Sequence, residues 1–169
     1  MAFICIEPFS VPQAIAETST TQNHALGTIV RAKDATLGTG EFIYLLGVSG
    51  TSAGIVVTFN TTTWQTTVCP STANLAAPLA VAMSSNVGSQ YGWYQISGLA
   101  TALKTAVKAD PAVNAQRVYI SGTAGRVMQT SSSGKCILGA ARANLTTVTS
   151  TTSTVTLLLN RPMAQGPIT

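Results

Sequence analysis

At 169 residues with 46% hydrophobic content, the chain suits one domain, or one domain with arms, and its apolar content excludes intrinsic disorder. Only 8% of residues are charged, against about 25% in a typical soluble domain, so the polar surface rests on Thr, Ser, Asn and Gln, which suits a protein packed in an assembly. The net charge of +4 comes from nine scattered basic residues, expected to be single solvated charges, without the clustering that nucleic-acid binding needs.

Residues 1–23 are expected to form an extended N-terminal arm and linker. Phe3, Ile4, Cys5 and Ile6 make a short apolar segment, and Pro8 and Pro12 favour extended backbone over helix. The polar run 17–23 has the composition of a linker. No Lys or Arg precedes the apolar residues, and Glu7 and Pro8 interrupt them, so a signal peptide is not expected. Such an arm either folds back onto its own domain or adds a strand to a neighbouring subunit.

Residues 24–162 are expected to form a β-rich domain. A strand over 26–32 is followed by a turn or loop over 34–40. The apolar run 41–48 is continuous rather than alternating, the pattern of a strand buried on both faces. Small residues over 49–54 mark a turn, 55–59 is β-branched, and 64–69 alternates as a further strand. After a connection over 70–78, strands follow at 79–83 and 91–97, the latter carrying Tyr91, Trp93 and Tyr94 as packing residues.

The segment 99–107 fits two patterns. Leu99, Leu103 and Ala106 make a helical stripe, whereas Leu99, Thr101, Leu103, Thr105 and Val107 fall at period two. Gly98 before it and Asp110-Pro111 after it favour a strand. Strands at 117–121 and 126–130 pair back across a Gly-rich turn, 131–134 turns again, and 136–140 leads into 144–149. Residues 155–160 make the last strand, Arg161-Pro162 start a tail, and 163–169 complete it. Short strands at near-regular spacing with Gly-rich turns indicate an all-β fold, a compact antiparallel β-barrel or β-sandwich with an extended N-terminal arm.

Groups for catalysis are scarce. His24 is the one histidine, and the acids are Glu7, Glu17, Asp34, Glu41 and Asp110. Acid–base or nucleophilic chemistry needs a tuned pair, and no GxSxG elbow accompanies His24, so no enzyme activity is expected. Cys5, Cys69 and Cys136 are odd in number and lack CxxC spacing, which points to free thiols rather than a disulfide frame or zinc site. Neither closely spaced carboxylates for calcium nor any cofactor motif occurs. Ser133-Gly134-Lys135 fails the phosphate-loop pattern, because Gln129 stands at the first glycine position and Cys136 follows the lysine. No apolar stretch reaches the roughly 18 residues of a membrane span.

The order of segments carries a resemblance. Leu26-Gly27-Thr28-Ile29-Val30, Gly40-Glu41-Phe42-Ile43-Tyr44-Leu45-Leu46-Gly47 and Ala53-Gly54-Ile55-Val56-Val57 come first. Tyr91-Gly92-Trp93-Tyr94-Gln95-Ile96-Ser97-Gly98 and Val118-Tyr119-Ile120-Ser121-Gly122-Thr123-Ala124-Gly125 follow. Ile137-Leu138-Gly139-Ala140 and Leu157-Leu158-Leu159-Asn160-Arg161-Pro162 close the series. In style and order, residues 26–162 resemble the small β-rich decoration (cement) proteins of tailed-bacteriophage capsids.

That resemblance implies a structural virion protein on the capsid surface, made in the host cytoplasm. Its partner would be the major capsid protein, and it would form a homo-oligomer, with a trimer favoured. Bridging neighbouring capsomers against the pressure of packaged DNA would be its mechanism. Phe3, Ile4, Ile6 and Phe9 would then be the assembly contacts of the arm. Other virion roles (head fibre base, tail or baseplate subunit) share the style. A carbohydrate-binding β-sandwich would instead use Trp64, Trp93, Tyr91 or Tyr94 as an exposed sugar platform.

Overall fold

The computed structural model describes residues 4–5, 13–86, 88–105, 116–143 and 153–168. Among them the regular structure is all strand, in one curled antiparallel sheet that forms a half-barrel. The strands are β1 (Ile4–Cys5), β2 (Thr18–Ser19), β3 (Ile29–Asp34), β4 (Gly38–Leu46), β5 (Val56–Phe59) and β6 (Thr66–Val68). They continue as β7 (Leu79–Ala82), β8 (Tyr91–Leu103), β9 (Gln116–Ile120), β10 (Val127–Met128), β11 (Cys136–Arg142) and β12 (Thr154–Ala164). The main path runs β1-β3-β4-β8-β12-β11-β9-β10, with β2 and β7 also on β8 and β5 joining β7 to β6.

The continuous apolar run of β4 is explained by two cores, one on each face. Phe42 and Tyr44 pack with Trp93, Val30, Ala32 and Ile15 on one side. Ile43 and Leu45 pack with Tyr94, Ile96, Val57 and Ala82 on the other. A strand covered on both faces has no polar face to alternate with. The third core joins the second half of β8, through Ala100 and Ala102, to Val155, Leu157 and Leu159 of β12 and Val118 and Ile120 of β9.

β8 therefore serves more than one core along its 13 residues. Its first half pairs with β4, from Leu46↔Tyr91 to Glu41↔Ser97, and its second half pairs with β12, from Asn160↔Ser97 to Thr154↔Leu103. Gly98 stands at the handover with φ +89°, and a Cβ there would lie 2.5 Å from the Thr39 carbonyl oxygen. Only glycine occupies such a position without strain. The expected strands 91–97 and 99–107 are thus one element as far as Leu103, and the strand reading of 99–103 holds over the helical one. Residues 106–107 lie outside the described residues.

Several boundaries differ from the sequence reading. The 26–32 strand starts late, at Ile29, because Thr28 N–H donates to the Ala25 carbonyl and closes a turn. The 34–40 loop shrinks to three residues, since Asp34 Oδ1 accepts from the N–H groups of Thr36 (2.8 Å) and Leu37 (2.9 Å). Trp64 is not in a strand: its φ is +58°, its N–H donates to the Asn60 carbonyl, and β6 begins at Thr66. The expected 144–149 segment lies outside the described residues.

At the C-terminal end, Arg161-Pro162 do not begin a tail. β12 continues through them to Ala164, with Leu138↔Met163 and Ile137↔Ala164 in register, so its last two residues occupy the start of the 163–169 segment. An irregularity accommodates the proline, as sheets require. Arg161 takes φ +46°, and opposite it Gly139 has φ +70° where a Cβ would collide with the Asn160 carbonyl.

The polar run 17–23 is not a free linker either. Thr18–Ser19 pair with Gly92 and Tyr91 of β8, and Ile15 enters the core beside Phe42 and Trp93. Nor are all the charges solvated, because Lys104 and Arg142 are both buried. Arg142 Nη1 donates to Gln129 Oε1 at 3.2 Å, and the Lys104 carbonyl accepts from Arg126 Nη1 at the same distance. Burial lowers the Lys104 ammonium pKa from its ordinary value.

Candidate functional site

Two places in the structure stand out, an apolar patch on the outer face of the β11–β12 pair and a hydrogen-bonded latch that holds residues 13–23. The patch follows from strand periodicity. Val155, Leu157 and Leu159 of β12 point into the core, so Leu158, between two of them, must point out. Beyond the Arg161 irregularity Met163 again points out, opposite Leu138 of β11. Leu138, Leu158 and Met163 are 52%, 51% and 50% exposed. Leu158 is flanked in register by Ala141 and Leu99, so the apolar surface continues across three strands.

The charges near this patch are few. Arg161 on β12 reaches Glu41 of β4 at 3.3 Å, and Arg117 on β9 stands opposite Ala141. Both partners of the Arg161–Glu41 pair are solvent-accessible, which limits its contribution to about 0–1 kcal/mol. Burial of large apolar side chains against a partner is the chemistry this face offers; each contributes about 1.5–3 kcal/mol when fully buried from full exposure.

The latch centres on Gln13, which is 2% exposed. Its Nε2 donates to the carbonyls of Glu17 (2.9 Å) and Tyr91 (3.0 Å). Its Oε1 accepts from the Tyr44 hydroxyl (2.7 Å) and from Asn23 Nδ2 (3.1 Å), while its own carbonyl accepts from Trp93 Nε1 (3.1 Å). Every polar atom of the side-chain amide is thereby used. Sequence reasoning missed Gln13, and no pattern marked it, since a glutamine beside Pro12 in a polar-looking segment carries no periodic signal.

Of the expected arm contacts, Ile4 is described: it is exposed and pairs with Lys33 at the β3 edge of its own chain. The arm's described strand thus folds back onto its own sheet. Phe3, Ile6 and Phe9 lie outside the described residues. The structure does not bring Ile4 to the β11–β12 patch, because β1 and β3 stand at the other end of the strand order.

The aromatic residues do not make a platform. Trp93 and Tyr94 are fully buried, and Trp64 and Tyr91 pack against the cores. The Tyr94 hydroxyl accepts from Asn86 Nδ2 at 2.6 Å, and burial raises the pKa of both Tyr44 and Tyr94.

His24 lies against the rings of Tyr44 and Trp93, with centroids at 5.0 and 5.1 Å. Its Nε2 is buried without a hydrogen-bond partner among the described residues, and desolvation lowers its pKa. Burial pushes the Cys69 thiol up to about 12, far from a nucleophile's range. Ser133-Gly134-Lys135 is a turn between β10 and β11, in which Lys135 N–H donates to the Ser132 carbonyl. Among the described residues no three His, Cys, Asp or Glu side chains gather in a metal-holding group. No family model matches the chain, and no curated protein matches it.

Proposed function

We propose that the chain is a structural virion protein that binds the outer surface of a tailed-phage capsid and stabilises it by bridging neighbouring major capsid protein subunits. The observation that carries this reading is the half-exposed set of Leu138, Leu158 and Met163 on the outer face of the paired strands β11 and β12. Paired strands hold those side chains in fixed positions, so association costs little ordering entropy at the backbone. An 8% charged composition fits the same role, because a surface covered by neighbours does not need charge for solubility. The segment order of residues 26–162 supplies the capsid context. A homo-oligomer, trimeric at a capsid symmetry junction, would present several such faces at once and gain by avidity.

The reading is non-catalytic and mechanical. A sugar-binding role is not favoured, since Trp93 and Tyr94 lie inside the protein rather than on a platform. The test is cosedimentation of the purified protein with capsids stripped of decorating proteins, alongside isolated tails. Saturable binding to heads with greater resistance to heat rupture is expected. Binding to tails alone would move the protein to a tail or baseplate role, and binding to neither would remove the virion reading.

A further inference from the structure

A polar row crosses the sheet and ends beside Leu158. Ile29, Arg31 and Lys33 alternate along β3 with the buried Val30, Ala32 and Asp34, so the three side chains share the exposed side of the strand. Residues opposite one another in paired strands lie on one face. The register links Arg31 to Glu41 of β4, Glu41 to Ser97 of β8, and Ser97 to Asn160 of β12. Leu158 stands two residues before Asn160 in β12, on the same side. The row therefore spans three strand spacings, about 14 Å, between the cations of β3 and the apolar side chain of β12.

Positive charge is in excess at the β3 end. Glu41 is the acid of the row, and Arg161 reaches it at 3.3 Å. Asp34 points to the buried side of β3, where its Oδ1 caps the following turn. Arg31 and Lys33 are exposed and make no ion pair among the described residues. Exposed apolar side chains stand next to them, Ile29 on the same strand and Ile4 in register with Lys33.

This spacing selects a partner. Alternate residues of a strand lie about 7 Å apart, so Ile29, Arg31 and Lys33 complement an extended segment with an apolar residue followed by carboxylates at its next two alternate positions. A nucleic acid needs more cations, or aromatic faces for its bases, and the row offers neither.

We propose, on the capsid reading above, that this row takes an acidic extended segment of the partner protein, with its carboxylates on Arg31 and Lys33 and Leu158 buried alongside. The contacted capsid surface is accordingly acidic where it meets β3 and apolar where it meets β12.

The experiment is cosedimentation of the full chain with stripped capsids across a salt series, using Lys33→Glu and, as a control, Lys135→Glu in the β10–β11 turn. Lys33→Glu should weaken binding about tenfold or more, and Lys135→Glu by less than about twofold. Raising salt from about 0.05 M to about 0.5 M should weaken wild-type binding about tenfold. Arg31→Gln, expected to weaken binding severalfold, serves if thermal melts show that Lys33→Glu does not fold. Wild-type binding that ignores both salt and Lys33→Glu overturns the acidic segment and leaves the capsid reading standing. Equal losses in the two lysine variants also overturn it, because net charge alone then accounts for them. Capsids that take up no wild-type protein overturn both. Binding to duplex DNA that Lys33→Glu abolishes, with capsid binding unchanged, makes the row a nucleic-acid surface and overturns the proposal.

Discussion

The Tyr44 hydroxyl donates to Gln13 Oε1 at 2.7 Å across 31 positions of sequence, joining the N-terminal segment to a central strand inside the protein. Gln13→Ala removes four side-chain hydrogen bonds and leaves the Tyr44 hydroxyl buried without its acceptor. A loss of about 1–3 kcal/mol is expected. Urea denaturation measures it, and faster amide exchange confined to residues 13–23 would locate it.

His24 makes stability depend on pH. Its native pKa is lowered by desolvation, and the rings it faces, Tyr44 and Trp93, are uncharged near neutrality. The unfolded chain, with a His pKa of about 6.5, then binds the proton more readily than the folded one. The His24 contribution is intact above pH 6.5, falls as pH drops through that value, and levels off below the native pKa. The urea midpoint should fall between pH 7.5 and pH 5, and by less in His24→Gln. An equal fall in both proteins would count against this assignment.

The thiols should separate by burial. Cys69 is fully buried with its pKa at about 12, whereas Cys136 is half-buried. In a Cys5→Ser background, a thiol-specific disulfide reagent at pH 8 should label Cys136 in the native protein and Cys69 only after unfolding. Mass spectrometry of the labelled peptides reads the outcome.

Two glycines with similar backbone angles should respond differently to alanine. Gly38 has φ +72° and open space around its missing Cβ, so Gly38→Ala costs only the left-handed strain of about 1–2 kcal/mol. Gly98 has φ +89° and the Thr39 carbonyl 2.5 Å from where a Cβ would stand. Gly98→Ala should therefore destabilise by more than Gly38→Ala, which paired thermal melts would show.

Leu158→Lys should leave the fold alone while abolishing the proposed assembly contact. The side chain is half-exposed on the outer face, where substitutions usually change stability by less than about 0.5 kcal/mol. Near-wild-type denaturation with lost capsid cosedimentation is expected. Retained binding would place the contact elsewhere.

The elements legible in the sequence were those whose local pattern matched their burial. The run 41–48 announced a strand covered on both faces, and Phe42 to Leu45 are divided between two cores. The exposure of Leu158 was not legible, since three successive leucines alternate faces but, as in β4, both faces of such a run can be covered. What failed was non-local. Nothing near Gln13 indicates that Tyr44, Tyr91 and Trp93 would capture it. The 163–169 segment resembled a tail because Pro162 normally ends a strand, and the irregularity at Arg161 that accommodates it depends on Gly139 in another strand. The buried Lys104 and Arg142 had the same cause, as their surroundings come from distant strands.

The range of partners on β8 bears on how the chain folds as it is made. This strand is met by residues 18–19 at one end of the sequence and by residues 154–160 at the other. Its central pairings are consequently of high contact order, and the loops between partners must close before those pairings reward them. A nascent chain lacking β12 would present the second half of β8 with an unpaired edge and its Ala100–Ala102 surface uncovered. Folding of this region is thereby deferred until residues 154–160 have been made, and products truncated before them should be the aggregation-prone ones.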